Sequence, residues 1–390
     1  MTAGAGLCLA LGGGGARGAY QVGVLRAIAR RHPDLPVPLL AGVSAGGINA
    51  AHLANHTGRF AEKVEDLVAL WSSLTVEQVF RVDGAALTKG LLQWATQLSV
   101  LGGHKWGPQV RGLVDTSPLR EFLDSQLGCR AGAMCGIAEN IRRGDLQAVA
   151  LSTTSYATGH TITFCQGKEL EGWERPNRLG VPGDLRLEHV LASAALPLFF
   201  PAVEIDGQWY GDGGIRLHAP LAPPIHLGAK RILAISTRYG QASEEAPAPE
   251  FSSYPPPARV AGVLMNAIFL DLLDHDAMQL ERINGLLENV PVGERGELRP
   301  VGLEVVRPSV DLGRLASEYE PRLPSLFRFL TRRLGTKDTR SSDLLSLVMF
   351  QPDYLQRLME LGEADAEAQS EVLGQFLAEG GQLEGDAAGS

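Results

Sequence analysis

Gly42-Val43-Ser44-Ala45-Gly46 is a stretch of this 390-residue chain whose residue types could support covalent chemistry. The apolar run Leu39 to Val43 precedes Ser44 and reads as a buried strand; small residues from Ser44 to about His56 follow it and read as a helix. A turn from strand to helix sharp enough to lift the Ser44 hydroxyl clear of the sheet demands unusual backbone angles at Ser44. It also crowds the positions two before and two after, where Gly42 and Gly46 stand. The helix that starts here aims its positive end at Ser44, which favours an alkoxide or a developing oxyanion. G-x-S-x-G also arises as a plain packing turn in a glycine-rich chain, but the strand–turn–helix setting favours a nucleophile.

The run Gly12-Gly13-Gly14-Gly15 supports two readings. Gly13, Gly15 and Gly18 fit G-x-G-x-x-G between a strand over Leu7 to Leu11 and a helix over Arg17 to Arg31, the fingerprint of a dinucleotide-binding oxidoreductase. That fingerprint expects an acidic residue near the end of the second strand to hold a ribose. Here the second strand delivers Ser44, and Asp34 falls before it. The N–H groups of Gly13, Gly14 and Gly15, with that of Ala45, read better as an oxyanion hole. Arg17 either adds positive charge to that hole or stands as a solvated helix-start residue.

A serine nucleophile needs a base. His218, His226 and His275 are the histidines late enough for a Ser-His-acid arrangement, and none has a distinctive setting. Asp212, in Tyr210-Gly211-Asp212-Gly213-Gly214, is flanked by glycines that let a carboxylate approach another backbone closely. The same residues also fit an ordinary Asp-Gly turn.

Taken together and in order, Gly13-Gly14-Gly15-Ala16-Arg17-Gly18, Gly42-Val43-Ser44-Ala45-Gly46 and Asp212-Gly213-Gly214 resemble the patatin-like phospholipase family of bacterial type. The stretch Ala192-Ser193-Ala194-Ala195-Leu196-Pro197, continuing through Phe200-Pro201 to Asp206-Gly207, resembles the segment that precedes the family's aspartate. The resemblance covers about residues 7–222. It implies a Ser-Asp dyad without histidine: Ser44 as nucleophile, Asp212 as base, an acyl-Ser44 intermediate, and acyl esters of lipids as substrates. No metal or cofactor is expected: the glycine hole takes the place of a Lewis acid, and no His/Asp/Glu cluster with ligand spacing stands near the motifs. A carboxyl group whose ordinary pKa is about 3.9 must then work as a base near neutral pH, which a shielded site would assist by raising that value.

The elements that must position these residues alternate as strand–helix–strand–helix, the pattern of a mostly parallel sheet covered by helices on both faces. Further strands read at 146–154, 161–165, 231–237 and 303–307, with a helix at 187–196, a hairpin at 203–210 around Asp206-Gly207, and helices at 258–289 and 320–380. The fold class is α/β and patatin-like, with a catalytic domain at 7–222 and a mainly helical extension at 223–390 packed on it. Lys plus Arg number 35 against 44 for Asp plus Glu, a net charge of −9, which argues against nucleic acid as partner. Cys8, Cys129, Cys135 and Cys165 form no pairs in sequence and suit a reducing cytoplasm. The N-terminal residues do not read as a secretory leader, and no obligate protein partner is implied. Peripheral membrane contact could come from the arginine-flanked apolar face at 320–334, or from the Leu- and Trp-rich segment Leu87 to Trp106; both also fit ordinary core helices. The alternatives carried forward are the oxidoreductase and a non-catalytic lipid-binding protein.

Overall fold

The computed structural model describes residues 6–81, 112, 114–128, 131–197, 199–240, 272–322 and 343–378. Ten strands form one sheet: β1 (Leu7–Leu11), β2 (Leu39–Val43), β3 (Ala148–Ser155), β4 (Thr161–Gly167), β5 (Trp173–Arg175), β6 (Arg178–Pro182), β7 (Val203–Ile205), β8 (Gln208–Asp212), β9 (Arg231–Ile235) and β10 (Gly302–Val306). The order is β10-β9-β1-β2-β3-β4-β6-β5, and β8 carries β7 and pairs with β3. The run β10-β9-β1-β2-β3 is parallel throughout; antiparallel pairs occur at β3–β4, β3–β8, β5–β6 and β7–β8. The sheet is therefore mostly parallel in its centre, as expected.

The described helices are α1 (Gly18–Arg31), α2 (Ala45–Asn55), α3 (Phe60–Ser73), α4 (Val76–Val79), α5 (Ser117–Gln126), α6 (Cys135–Arg143), α7 (Leu187–Ser193), α8 (Ala222–His226), α9 (Leu272–Glu288), α10 (Leu312–Tyr319), α11 (Asp343–Val348), α12 (Pro352–Ala368) and α13 (Ser370–Ala378). They cover both faces. In β1, Leu7, Leu9 and Leu11 point into the larger core shared with α1, α2, α3 and α12, while Cys8 and Ala10 point into the smaller core under α8 and α9. This alternation is the period-2 geometry of a strand buried on both sides.

The expected elements over 7–56 are present with ends shifted by a residue or two. The hairpin at Asp206-Gly207 turns with both residues at positive φ, the mirror-image geometry that matches strand twist. The edge pair β5 and β6 was not expected; its residues Trp173 to Pro182 mix charge, Gly and Pro without clean alternation. The segments 87–106, 258–271 and most of 320–334, including all the apolar face and its later arginines, lie outside the described residues.

β9 and β10 come from beyond residue 222, yet they extend the same sheet that holds β1 and β2. The α12 helix crosses α1 with backbones almost touching. A Cβ on Gly23 would lie 1.9 Å from the Met359 carbonyl oxygen, and one on Gly362 would lie 2.2 Å from that of Tyr20. Tyr20 donates to Asp365 at 3.0 Å, and Arg26 and Arg30 reach Glu363, around this crossing. Gly23→Ala is expected to force these helices apart and cost about 1–3 kcal/mol, as overpacking does. Urea denaturation of the purified variant measures the loss.

Candidate active site

Strand register delivers Ser44 and Asp212 to one place. The last residue of β2, Val43, pairs with Ser152 of β3. The next residue of β3, Thr153, pairs with Asp212 at the end of β8. One strand therefore leaves the flank of β3 where the other arrives, and Ser44 departs beside the incoming carboxylate. Gly213 permits the approach: a Cβ there would lie 2.3 Å from the Ser152 carbonyl oxygen and 2.9 Å from Val43 Cγ2.

Ser44 occupies φ 56°, ψ −130°, a backbone region that costs a non-glycine residue about 1–3 kcal/mol. The turn is as tight as the motif requires. A Cβ on Gly42 would lie 2.4 Å from the Gly46 carbonyl oxygen, and one on Gly46 would lie 2.1 Å from that of Leu11. Both glycines are needed for close packing rather than for unusual φ angles. Ser44 is not open to solvent: only 6% of its surface is exposed.

Asp212 is fully buried. Its N–H donates to the Ala195 carbonyl at 3.0 Å, its carbonyl accepts from Thr154 Oγ1 at 2.8 Å, and its Oδ1 accepts from the Gly214 N–H at 2.8 Å. Oδ2 has no hydrogen-bond partner among the described residues. Burial pushes the carboxyl up to about 7, and the nearby Ser44 hydroxyl and the Gly214 N–H hold it from rising further. The bond from the Gly214 N–H makes the Asp-Gly turn and the buried carboxylate the same feature.

The glycine run wraps this point. Gly14 and Gly15 have φ of 153° and 53°, and a Cβ on Gly13 would sit 3.1 Å from Ser44 Cβ. Gly14, Gly15 and Ala45 line the cavity in front of Ser44; Gly13 lines a second cavity on the other side of the loop, with Val43, Ser152 and Gly214. The first cavity is strongly apolar, walled by Ile48, Trp71, Val79, Phe122, Leu347 and Phe350 among others.

Arg17 does not stand in solvent. It is 2% exposed, and its Nε donates to Ser346 Oγ at 2.7 Å. Gly18 lets α1 close on α2, since a Cβ there would lie 2.8 Å from both Ala45 Cβ and Trp71 Cη2. Behind the loop, Gln21 Nε2 donates to the Gly12 and Ile235 carbonyls, Asn49 Nδ2 donates to Gln21 and Gly18, and Trp71 Nε1 donates to Asn49 Oδ1 at 2.7 Å. A polar network with every bond made holds a loop rigidly.

On one side the loop is closely covered: a Cβ on Gly15 would lie 2.0 Å from the Leu347 carbonyl oxygen, so α11 packs directly against it. Of the late histidines, His218 and His275 are exposed, and His226 stacks on Trp173 at 4.7 Å. Residue types alone did not reveal Arg17's burial, the wall from 345–350, or the roles of Ser193 and Thr154. All depend on contacts between segments far apart in the chain.

The serine at the strand–turn–helix junction, the buried carboxyl, the glycine loop and the apolar cavity lie in one part of the molecule. The sequence pattern of the patatin-like phospholipase family matches residues 9–225, more than half of the chain. The chain belongs to that family. Comparison with curated proteins gives no significant sequence match. Among solved structures, VipD from Legionella pneumophila is similar at 12% identity and a TM-score of 0.30, over 91% of this chain and 67% of that one. Human GIVD cytosolic phospholipase A2, in complex with methyl gamma-linolenyl fluorophosphonate, is similar at 12% identity and a TM-score of 0.47. That match covers 97% of this chain and 60% of the human chain, so this chain matches well under two thirds of it. Among the described residues, no helix is long and apolar enough to cross a membrane.

Proposed function

We propose that this protein is a serine hydrolase of lipid acyl esters that works through an acyl-Ser44 intermediate with Asp212 as its base. The observation that carries the reading is the register on β3, which sets Val43 and Asp212 against successive residues. Ser44 Oγ attacks the ester carbonyl and gives its proton to Asp212 Oδ2, the carboxyl oxygen with no other partner. The oxyanion is met by N–H groups of the Gly13-Gly14-Gly15 loop and of Ala45. Asp212 returns the proton to the leaving alcohol. Water then attacks the acyl ester, Asp212 takes a proton from it, and the fatty acid leaves as Ser44 Oγ is reprotonated. Gly42, Gly46, Gly213, Gly214, Gly18 and Arg17 shape this arrangement without touching the reacting atoms.

Catalytic groups within 7–222 and a covering extension within 223–390 belong to the same proposal, as do a cytoplasmic location and peripheral contact with membranes. A fluorophosphonate probe tests the reading. It is expected to label the protein at Ser44 alone, with Asp212→Asn labelled far more slowly; a dinucleotide-binding or non-catalytic lipid-binding protein would not react.

The apolar cavity is proposed to take the acyl chain. Phe350→Ala and Leu347→Ala enlarge it and are expected to move the preferred chain length upward. Across a series of nitrophenyl esters, the ratio of long-chain to short-chain kcat/KM should rise about tenfold, the scale of one methylene in an apolar pocket. Unchanged ratios would place the acyl chain elsewhere.

A further inference from the structure

We infer that Ser193 is a positioning residue that holds Ser44 and Asp212 in one frame. This rests on the Ser44–Asp212 reading and deepens it. Ser193 is fully buried at the C-terminal end of α7. Its Oγ accepts the Ser44 N–H at 3.0 Å and donates its own proton to the Ser152 carbonyl at 2.7 Å. A hydroxyl has one proton to give, so the direction of both bonds is set. Two residues on, the Ala195 carbonyl accepts the Asp212 N–H. Residues 193–195 therefore grip the backbones of both groups, while Ser152 and Thr153 of β3 mark the same two points in the sheet.

The need for this grip follows from the turn. The chain leaves the β2 ladder at Val43, so the Ser44 N–H loses its strand partner while still buried. A buried N–H without an acceptor is costly, and the strained angles at Ser44 persist only if neighbouring structure enforces them. Ser193 supplies both the acceptor and the restraint. It also commits the Ser44 N–H, which leaves the oxyanion to the N–H groups of Ala45 and the glycine loop. Space for the Ser193 hydroxyl is kept by Gly47, where a Cβ would lie only 2.9 Å from Ser193 Oγ.

Two variants disturb this frame by separate routes. Ser193→Ala removes the hydroxyl. Gly47→Ala retains it but pushes it aside, while alanine favours the helix more than glycine does. Each is titrated with a fluorophosphonate so that kcat counts only competent sites. Both are expected to lower kcat about 10–100-fold, the scale of a misplacement near 1 Å, with KM nearly unchanged. Both should also shift the acid limb of the pH–rate profile upward, because the Ser44 hydroxyl no longer helps hold Asp212 down. Among the described residues, Tyr156, whose hydroxyl packs against Gly211, is a titratable group that feels the Asp212 charge; burial and that charge raise its pKa, so it stays protonated through this window. Wild-type kcat and an unmoved acid limb in both variants, with only thermal stability reduced, would overturn the proposal, and Gly47→Ala decides the matter alone if Ser193→Ala does not fold. Full activity in Ser44→Ala would instead overturn the dyad itself. Inactive Ser44→Ala and Asp212→Asn beside kinetically normal Ser193→Ala and Gly47→Ala would remove the brace alone.

Discussion

Ser44→Ala is expected to lower kcat for a short-chain nitrophenyl ester by about 10⁴–10⁶-fold, the usual cost of deleting a nucleophile, without unfolding the protein. The fold does not depend on the Ser44 hydroxyl: the residue's ties to the structure run through its N–H, donated to Ser193, and its carbonyl, which accepts from Gly47 and Ile48. Alanine keeps those bonds and the same strained angles. Glycine relieves the strain, so Ser44→Gly is expected to be equally inactive and yet more stable, by about 1 kcal/mol or more. An inactive protein of higher denaturation midpoint is hard to explain by misfolding and isolates the chemistry from the scaffold. Activity retained in either variant would show that another residue attacks the ester.

Asp212→Asn is expected to lose about 10⁴-fold in kcat, since an amide cannot accept the Ser44 proton. The amide oxygen can still accept from Gly214, so the local turn survives. In the wild type, activity should rise with pH through about 7, where the buried carboxyl becomes ionised. The same shift acts on stability with a defined sign. Asp212 is raised above its unfolded value of 3.8, so the folded state resists ionisation, and stability contributed by the neutral carboxyl is lost as pH rises from near 4 through about 7. Asp212→Asn removes that loss and is expected to be more stable than wild type above pH 7, with little difference below pH 4. Urea midpoints at both ends of this range, together with the pH–rate profile, test the assignment. A histidine variant, such as His218→Ala, that matched the loss of Asp212→Asn would replace the dyad with a triad.

Much of the centre was legible in local patterns. Apolar runs bounded by glycine and proline marked β1, β2 and β9, because a strand buried on both faces must be apolar at nearly every position. The sharp turn at Ser44 was legible because few residues other than Gly42 and Gly46 fit where a Cβ would strike a carbonyl oxygen. The β5–β6 edge was not, because edge strands carry mixed charge and little periodic pattern. The burial of Arg17 was not legible, since its partner Ser346 stands 329 positions away.

By itself, the sequence determined which residues could do the chemistry and in what order the elements form, because glycine tolerance, hydrophobic period and turn preference are properties of short stretches. Only the tertiary structure set the end of β2 and Asp212 against successive residues of β3, since Ser44 and Asp212 stand 168 positions apart in the chain. It also decided that Leu347 and Phe350 wall the cavity, that α11 packs against Gly15, and that Ser193 joins Ser44 to β3. Each of these is a contact between surfaces built from distant segments. Its energy comes from burial and from hydrogen bonds that exist only once the whole sheet is assembled.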